Sequence, residues 1–269
     1  MEVEKKENQF DKIRSIIEKG SEIGGSVAGT AIGLAIAGPA GALAGALGGP
    51  LVSEVFKKVG LDISEKVMGP RERARVGETY SKALEMIVQK LEKGEEIRND
   101  DFFSTQPKDR SKSESILEGT LLKARNEYEE KKLNFYSNLL SNLSFDKTIT
   151  FEKGNTLLKI LEQMSYRQVI ILAYLFDIES LSMDDWDTSF KDNSELGDYQ
   201  DFYSELIELY DKQILQQTGI GISMSIRSLG ISPLGRTMGL LIGANNIDEG
   251  EKAKIRSIIE SISSKVENK

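Results

Sequence analysis

The sequence predicts a mainly α-helical protein: a helical bundle with an N-terminal Gly/Ala-rich helical hairpin and a C-terminal winged-helix-like module. Three observations carry that expectation. Apolar residues recur at helical spacing through most of the chain, in segments opened by proline or a capping residue and closed by glycine. Small residues recur at every fourth position from Gly25 to Gly49. One Gly-rich stretch near the C-terminus alternates apolar and polar residues instead, between two helical patterns.

The first helix falls on FDKIRSIIEKG, where Phe10, Ile13, Ile16 and Ile17 share a face and Gly20 is the stop. The repeat follows. Between Glu22 and Glu54 lie 31 residues without a formal charge, more than the ~20 a membrane span needs. Nine are large aliphatics, nine glycine, eight alanine and two proline. The aliphatics favour insertion by only about 3–5 kcal/mol together, and glycine and proline oppose it.

Spacing says more than hydropathy here. Gly25, Gly29, Gly33, Ala37, Gly41, Gly45 and Gly49 form a run of small-xxx-small, which lets two helix backbones approach closely. Each four-residue step turns a helix face by about 40°, so the full run drifts roughly 240°, too far for one straight seam. A break at Gly38-Pro39 resolves this, because proline is unfavourable inside a helix. The result is a hairpin of two helices of about 14 residues, each ~21 Å long and short of the ~30 Å hydrocarbon core. The alternative is one kinked span of about 24 residues.

PLVSEVFKKVG reads as a short helix from Pro50 to Gly60, and PRERARVGETYSKALEMIVQKLEKG as a second, striped by Val76, Tyr80, Leu84, Ile87 and Leu91. Residues 95–113 are polar, contain Pro107 and read as an exposed loop or linker. A long helix is expected from about Ser113 to Leu143, with Leu117, Leu121, Ala124, Tyr128, Phe135, Leu139 and Leu143 inward. Another covers Glu152 to Met164. Ser165 and Gln168 form a capping box before VIILAYLF, which is apolar nearly all round and so central to a core. SLSMDDWDTSFKDNSELGD reads as an acidic loop, its Asp184, Asp185 and Asp187 solvated, since Leu196 stands where a calcium loop needs oxygen. DYQDFYSELIELYDKQIL (helix), QQTGIGISMSIRSLGIS (two short strands) and SPLGRTMGLLIG (helix, Pro233 to Gly243) follow in winged-helix order. The last helix, from about Asp248, repeats at 254–260 the KIRSIIE of 12–18, either as an equivalent docking helix or as amphipathic coincidence. The expected division is 1–60, 61–164, 165–247 and 248–269.

Composition narrows the chemistry. With 39% apolar and 29% charged residues, general disorder is excluded. A net charge of −8 repels nucleic acid and anionic lipid except at a local basic patch. There is no cysteine and no histidine, which removes disulfides, thiolate and imidazole metal sites and every Ser-His-Asp or Cys-His arrangement. No catalytic residue, metal site or cofactor is expected. No cleavable signal is expected either, because MEVEKKENQFDKIR has no basic region followed by an apolar core. Residues 230–237, GISPLGRT, match phosphate-loop spacing with Arg236 in place of lysine, but Pro233 stiffens the loop and no magnesium-binding acid follows. Arg227 and Arg236 are the candidate partner contacts. Glu205, Glu208 and Asp211 nearby make a poor footprint for nucleic acid.

PLVSEVFKKVG, KLNFYSNLLSNLSF, SYRQVIILAYL and ISPLGRTMGLLI, in that order, resemble bacterial abortive-infection alpha proteins over about residues 50–243. Those proteins have a proline-started amphipathic segment, an aromatic-x-N-L-L helix and a C-terminal module ending in a T/S-x-L-G helix. The resemblance implies phage defence by host arrest or death and brings no catalytic residues with it. The glycine repeat lies outside it. Together they lead to the expectation of a non-enzymatic phage-defence effector with a conditionally membrane-active glycine hairpin. Its expected partners are the membrane, a protein trigger and further copies of itself. It is expected in the cytoplasm, moving to or into the inner membrane. The alternative is a soluble winged-helix interaction or regulatory module that binds protein, or less readily DNA.

Overall fold

The computed structural model describes residues 50–104, 110–182, 197–218 and 228–267. The expected first helix, the glycine hairpin and the acidic loop residues 184–187 lie outside them. The described residues are mainly helical and divide into two units between Glu162 and Gln163.

The first unit is a bundle of α1 (Pro50–Ser64), α2 (Pro70–Glu92), α3 (Lys112–Asn126), α4 (Leu133–Leu143) and α5 (Phe151–Gln163, its last residue past the boundary). Helix α2 packs on α3 and α4, and α1 packs on α3. The core takes Tyr80, Leu84 and Ile87 from α2, Leu117 and Leu121 from α3, Tyr136 and Leu139 from α4, and Leu157 and Leu161 from α5. Helix α1 passes the expected stop at Gly60 and ends four residues later. Burying Ile63 is worth about 1.5–3 kcal/mol, which outweighs the ~1 kcal/mol penalty of a helical glycine.

Both ends of α2 follow from the sequence. Pro50 opens α1 and Pro70 opens α2, where no intrahelical donor is needed; the Gly69 N–H donates to Glu72 Oε2 at 2.6 Å. That bond, with Arg125 beside it, holds the Glu72 carboxyl below its ordinary range. At the C-terminus Glu95 N–H donates to Lys90 O and Gly94 N–H to Leu91 O, with Gly94 left-handed at φ 84°. Nothing lies within 4 Å of an added Cβ there, so Gly94→Ala tests backbone strain alone. Unfolding in urea is expected to show a loss of about 1 kcal/mol.

Two expectations for this unit are corrected. Residues 95–113 are not simply an exposed loop: Phe102 and Phe103 are buried in a 3-10 turn, and residues 105–109 lie outside the description. Arg98 fixes the turn. Its guanidinium pairs with Asp100 (2.8 and 2.5 Å), donates to Leu143 O at 3.1 Å and lies over the Phe102 ring. The pairing holds the Asp100 carboxyl below its usual pKa. Nor does one helix run from 113 to 143. It breaks into α3 and α4 at an elbow, Glu127 to Lys132, and Tyr128 points outward at 81% exposure. Glu127 and Lys132 are both buried and lie 2.6 Å apart. Glu127 also accepts from Tyr136 Oη at 3.1 Å and from the Glu129 N–H at 3.0 Å. Bringing that ion pair together requires the chain to leave the helical path.

The second unit contains α6 (Tyr166–Ile178), β1 (Ser180–Ser182), α7 (Gly197–Asp211), β2 (Leu215–Gln217), β3 (Ser228–Ile231), α8 (Pro233–Ile242) and α9 (Glu249–Glu267). The capping box is present, with Ser165 Oγ accepting from Gln168 N–H at 3.0 Å and Gln168 Oε1 from Ser165 N–H at 3.1 Å. Residues Val169 to Leu175 are all buried, in keeping with a helix apolar on every side. The antiparallel sheet has the order β1-β3-β2, with Leu181 opposite Leu229 and Gln216 opposite Gly230. Strand β1 corrects the loop expected there; three residues are too few to display an alternating pattern. Lys252, buried, ties α9 to α6 through Asp177 at 2.9 Å. Burial lowers its pKa, but the bonds to Asp177 and Glu249 outweigh that and leave it above the ordinary value.

Helix α7 ends in a left-handed residue that is not glycine. Gln213 has φ 60°, its N–H donates to Tyr210 O, and the next N–H, of Ile214, returns to Leu209 O. Gln213→Gly is expected to raise stability by about 1 kcal/mol, read from the urea midpoint.

Candidate functional site

The expected membrane and helix-packing residues Gly25, Gly29, Gly33, Ala37, Gly41, Gly45 and Gly49, and the break at Gly38-Pro39, lie outside the described residues. So does Arg227. What the structure describes is the element to which the repeat is joined. Helix α1 starts at Pro50, one residue after Gly49.

Helix α1 is held firmly. Val52, Val55, Phe56, Val59 and Ile63 are all buried along one face. Phe56 meets the Tyr80 ring edge-on, with centroids 5.6 Å apart, and its carbonyl accepts the Tyr80 hydroxyl at 3.0 Å. Burial raises the pKa of that phenol, so it stays a donor at any physiological pH. Lys58 reaches the buried Glu114 at 2.9 Å, and Glu114 also caps α3 by accepting from Ser111 N–H. At the far end Arg110 pairs with Asp62 (3.1 Å) and with Glu118, which Lys66 also approaches at 3.4 Å. Five buried apolar side chains contribute roughly 8–15 kcal/mol gross to holding α1 in place. Lys57, Arg71 and Arg73 are exposed on or just after it.

Arg236 is exposed on α8, with its guanidinium 5.7 Å from the centroid of the Phe176 ring. Two of the three acids named as its electrostatic neighbours are engaged within the unit: Glu205 pairs with Arg167 at 2.5 Å, and Glu208 accepts from Gln168 at 2.7 Å. The phosphate-loop spacing falls across a strand, a helix cap and the helix itself, not on one loop. Gly230 is a strand residue, Ser232 caps α8 by accepting from Gly235 N–H, and Gly235 lies within the helix. A Cβ on Gly235 would meet Ile214 O at 2.0 Å, and one on Gly239 would meet the Phe176 ring at 2.1 Å. These glycines permit close packing of α8, the reason they occur at i and i+4.

Among the described residues no three acids cluster as a metal site would require, and no helix is long and apolar enough to cross a membrane. No family model, curated protein or solved structure matches this chain. Sequence reasoning missed the buried Glu127–Lys132–Tyr136 network, because EYEEKK has the composition of a solvated surface turn.

Proposed function

We propose that this chain is a non-enzymatic defence effector of the abortive-infection type, in which residues 25–49 enter the inner membrane while the first helical unit stays folded at its cytoplasmic surface. The observation that carries this reading is the junction at Gly49 and Pro50. A run of small residues suited to helix–helix contact ends where a firmly docked helix begins. The magnitudes favour movement of the repeat alone. Its six large aliphatics yield only about 2–4 kcal/mol on insertion, less than the roughly 8–15 kcal/mol lost by stripping α1 from its bed. Exposed Lys57, Arg71 and Arg73 favour keeping that unit on the cytoplasmic side. Each half of the repeat is shorter than the bilayer core, so several copies together form the conducting state. The resemblance of residues 50–243 to abortive-infection proteins supplies the biological setting.

Expression in bacteria challenged with phage is expected to collapse the membrane potential, read with a potential-sensitive dye. An unchanged potential with and without phage overturns the reading.

The strand order β1-β3-β2, with α7 between β1 and β2, favours a second role for the other unit, that of a winged-helix-like module. Helix α7 carries Asp201, Glu205, Glu208 and Asp211, which favours a protein partner over a nucleic-acid backbone. In this reading the second unit receives the trigger.

A further inference from the structure

In the second unit β3 is the central strand, which leaves one side of β2 unpaired among the described residues. The bonds that flank β2 fix which side each residue serves. Ser232 N–H donates to Ile214 O at 3.1 Å, and Thr218 N–H to Ser228 O at 2.9 Å. Antiparallel ladders alternate, so 214, 216 and 218 face β3, whereas the N–H and C=O of Leu215 and Gln217 face away from it. Those four backbone groups point to the open edge.

A cleft of about 620 Å³ adjoins this strand. All three consecutive β2 residues line it, although neighbouring strand side chains point to opposite faces, so it runs along the edge of the strand. Tyr210 and Asp211, at the end of α7, and Gln213 also line it, as do Ser232, Pro233 and Leu234 where α8 opens. Asp211 is the only formally charged residue in the lining. Nearby Lys212 is directed instead to Glu208, at 3.7 Å. Edge strands are commonly guarded by lysine, proline or a bulge, and Leu-Gln-Gln offers neither of those side chains.

We propose that the β2 edge is a peptide-docking site that takes an extended, basic segment of a partner protein as a fourth strand. Up to four backbone bonds to Leu215 and Gln217 give affinity, and a lysine or arginine opposite Asp211 gives selectivity. The proposal does not depend on the membrane reading.

The test uses the full chain and a displayed library of random heptapeptides. Enriched peptides are expected to carry a lysine or arginine at one fixed position. On titration with the best of these, amide exchange at Leu215 and Gln217 is expected to slow at least tenfold while that at Gln216, already bonded to β3, stays unchanged. Gln217→Pro removes an outward N–H and leaves the β3 pairing intact, so it is expected to weaken binding at least tenfold; Gln217→Ala is expected to leave it unaltered. Methylating the peptide's own amides at alternate residues repeats the experiment without altering the protein. Asp211→Asn is expected to lose about fivefold. The proposal is overturned by any of three outcomes: no enrichment, binding indifferent both to Gln217→Pro and to peptide methylation, or an edge occupied by a second copy, seen as a dimer that Gln217→Pro dissociates.

Discussion

Lys132→Met is expected to lower the stability of the first unit by about 3–5 kcal/mol, the range for stranding one member of a buried ion pair. The side chains of Lys132 and Glu127 are 2% and 5% exposed, so water cannot replace the lost partner. The Glu127 carboxylate is otherwise well satisfied, by the Glu129 N–H on one oxygen and the Tyr136 hydroxyl on the other. Burial, and then the Glu127 charge, raise the Tyr136 pKa, so the phenol stays a neutral donor whose one hydrogen bond Glu127 already has, and it supplies no positive charge in place of Lys132. Lys132 also donates to Glu162 O at 3.3 Å, and this bond links the elbow to the end of α5. Amide exchange in α3 and α4 reads the effect locally, since residues 50–162 contain no tryptophan. Glu127→Leu combined with Lys132→Met removes both charges and is expected to recover most of the loss. A single variant within 1 kcal/mol of the parent would show that the elbow does not depend on the pair.

The second large effect concerns the repeat. Gly33→Leu and Gly41→Leu are each expected to reduce membrane depolarisation at least tenfold, with the exchange protection of α2 and α4 unchanged. Leucine makes the segment more hydrophobic, by about 0.3–0.6 kcal/mol on the insertion scale, so plain partitioning would improve. Close contact between backbones would not. A branched side chain in place of glycine pushes the two helix axes apart and removes the dispersion contacts that hold helices together in lipid. The direction of change therefore separates helix packing from mere greasiness. Gly33→Ala, a smaller addition, is expected to have a mild effect. Undiminished depolarisation in both leucine variants would rule out the packing role of the repeat.

What the sequence made legible was local. Helix starts at Pro50, Pro70, Ser165 and Pro233, and stops at Gly94 and Gly243, depend on residues within one turn and are present as expected. What stayed hidden depends on remote partners. Phe102 and Phe103 are buried because Arg98 reaches Leu143 O, 45 residues away, and no local pattern announces that bond. Tyr128 turns outward because its neighbours Glu127 and Lys132 turn inward to meet each other. Strand β1 exists because β3, nearly fifty residues later, pairs with it. The β2 edge was illegible for the same reason: which backbone groups stay open follows from strand order, not from Leu-Gln-Gln itself. The glycine repeat is read from spacing alone and lies outside the described residues.

Because the chain has no native cysteine, single-cysteine variants give an unambiguous reading of where the repeat goes. Thiols react with aqueous maleimide as thiolates, which a hydrocarbon environment suppresses. Leu43→Cys and Tyr128→Cys chains would be recovered from carbonate-washed membranes of phage-challenged cells and labelled before and after detergent. The expected result is that Tyr128→Cys labels at once and Leu43→Cys only after solubilisation. Release of the chain into the carbonate wash, or equally fast labelling at both positions in intact membranes, would contradict insertion of the glycine repeat.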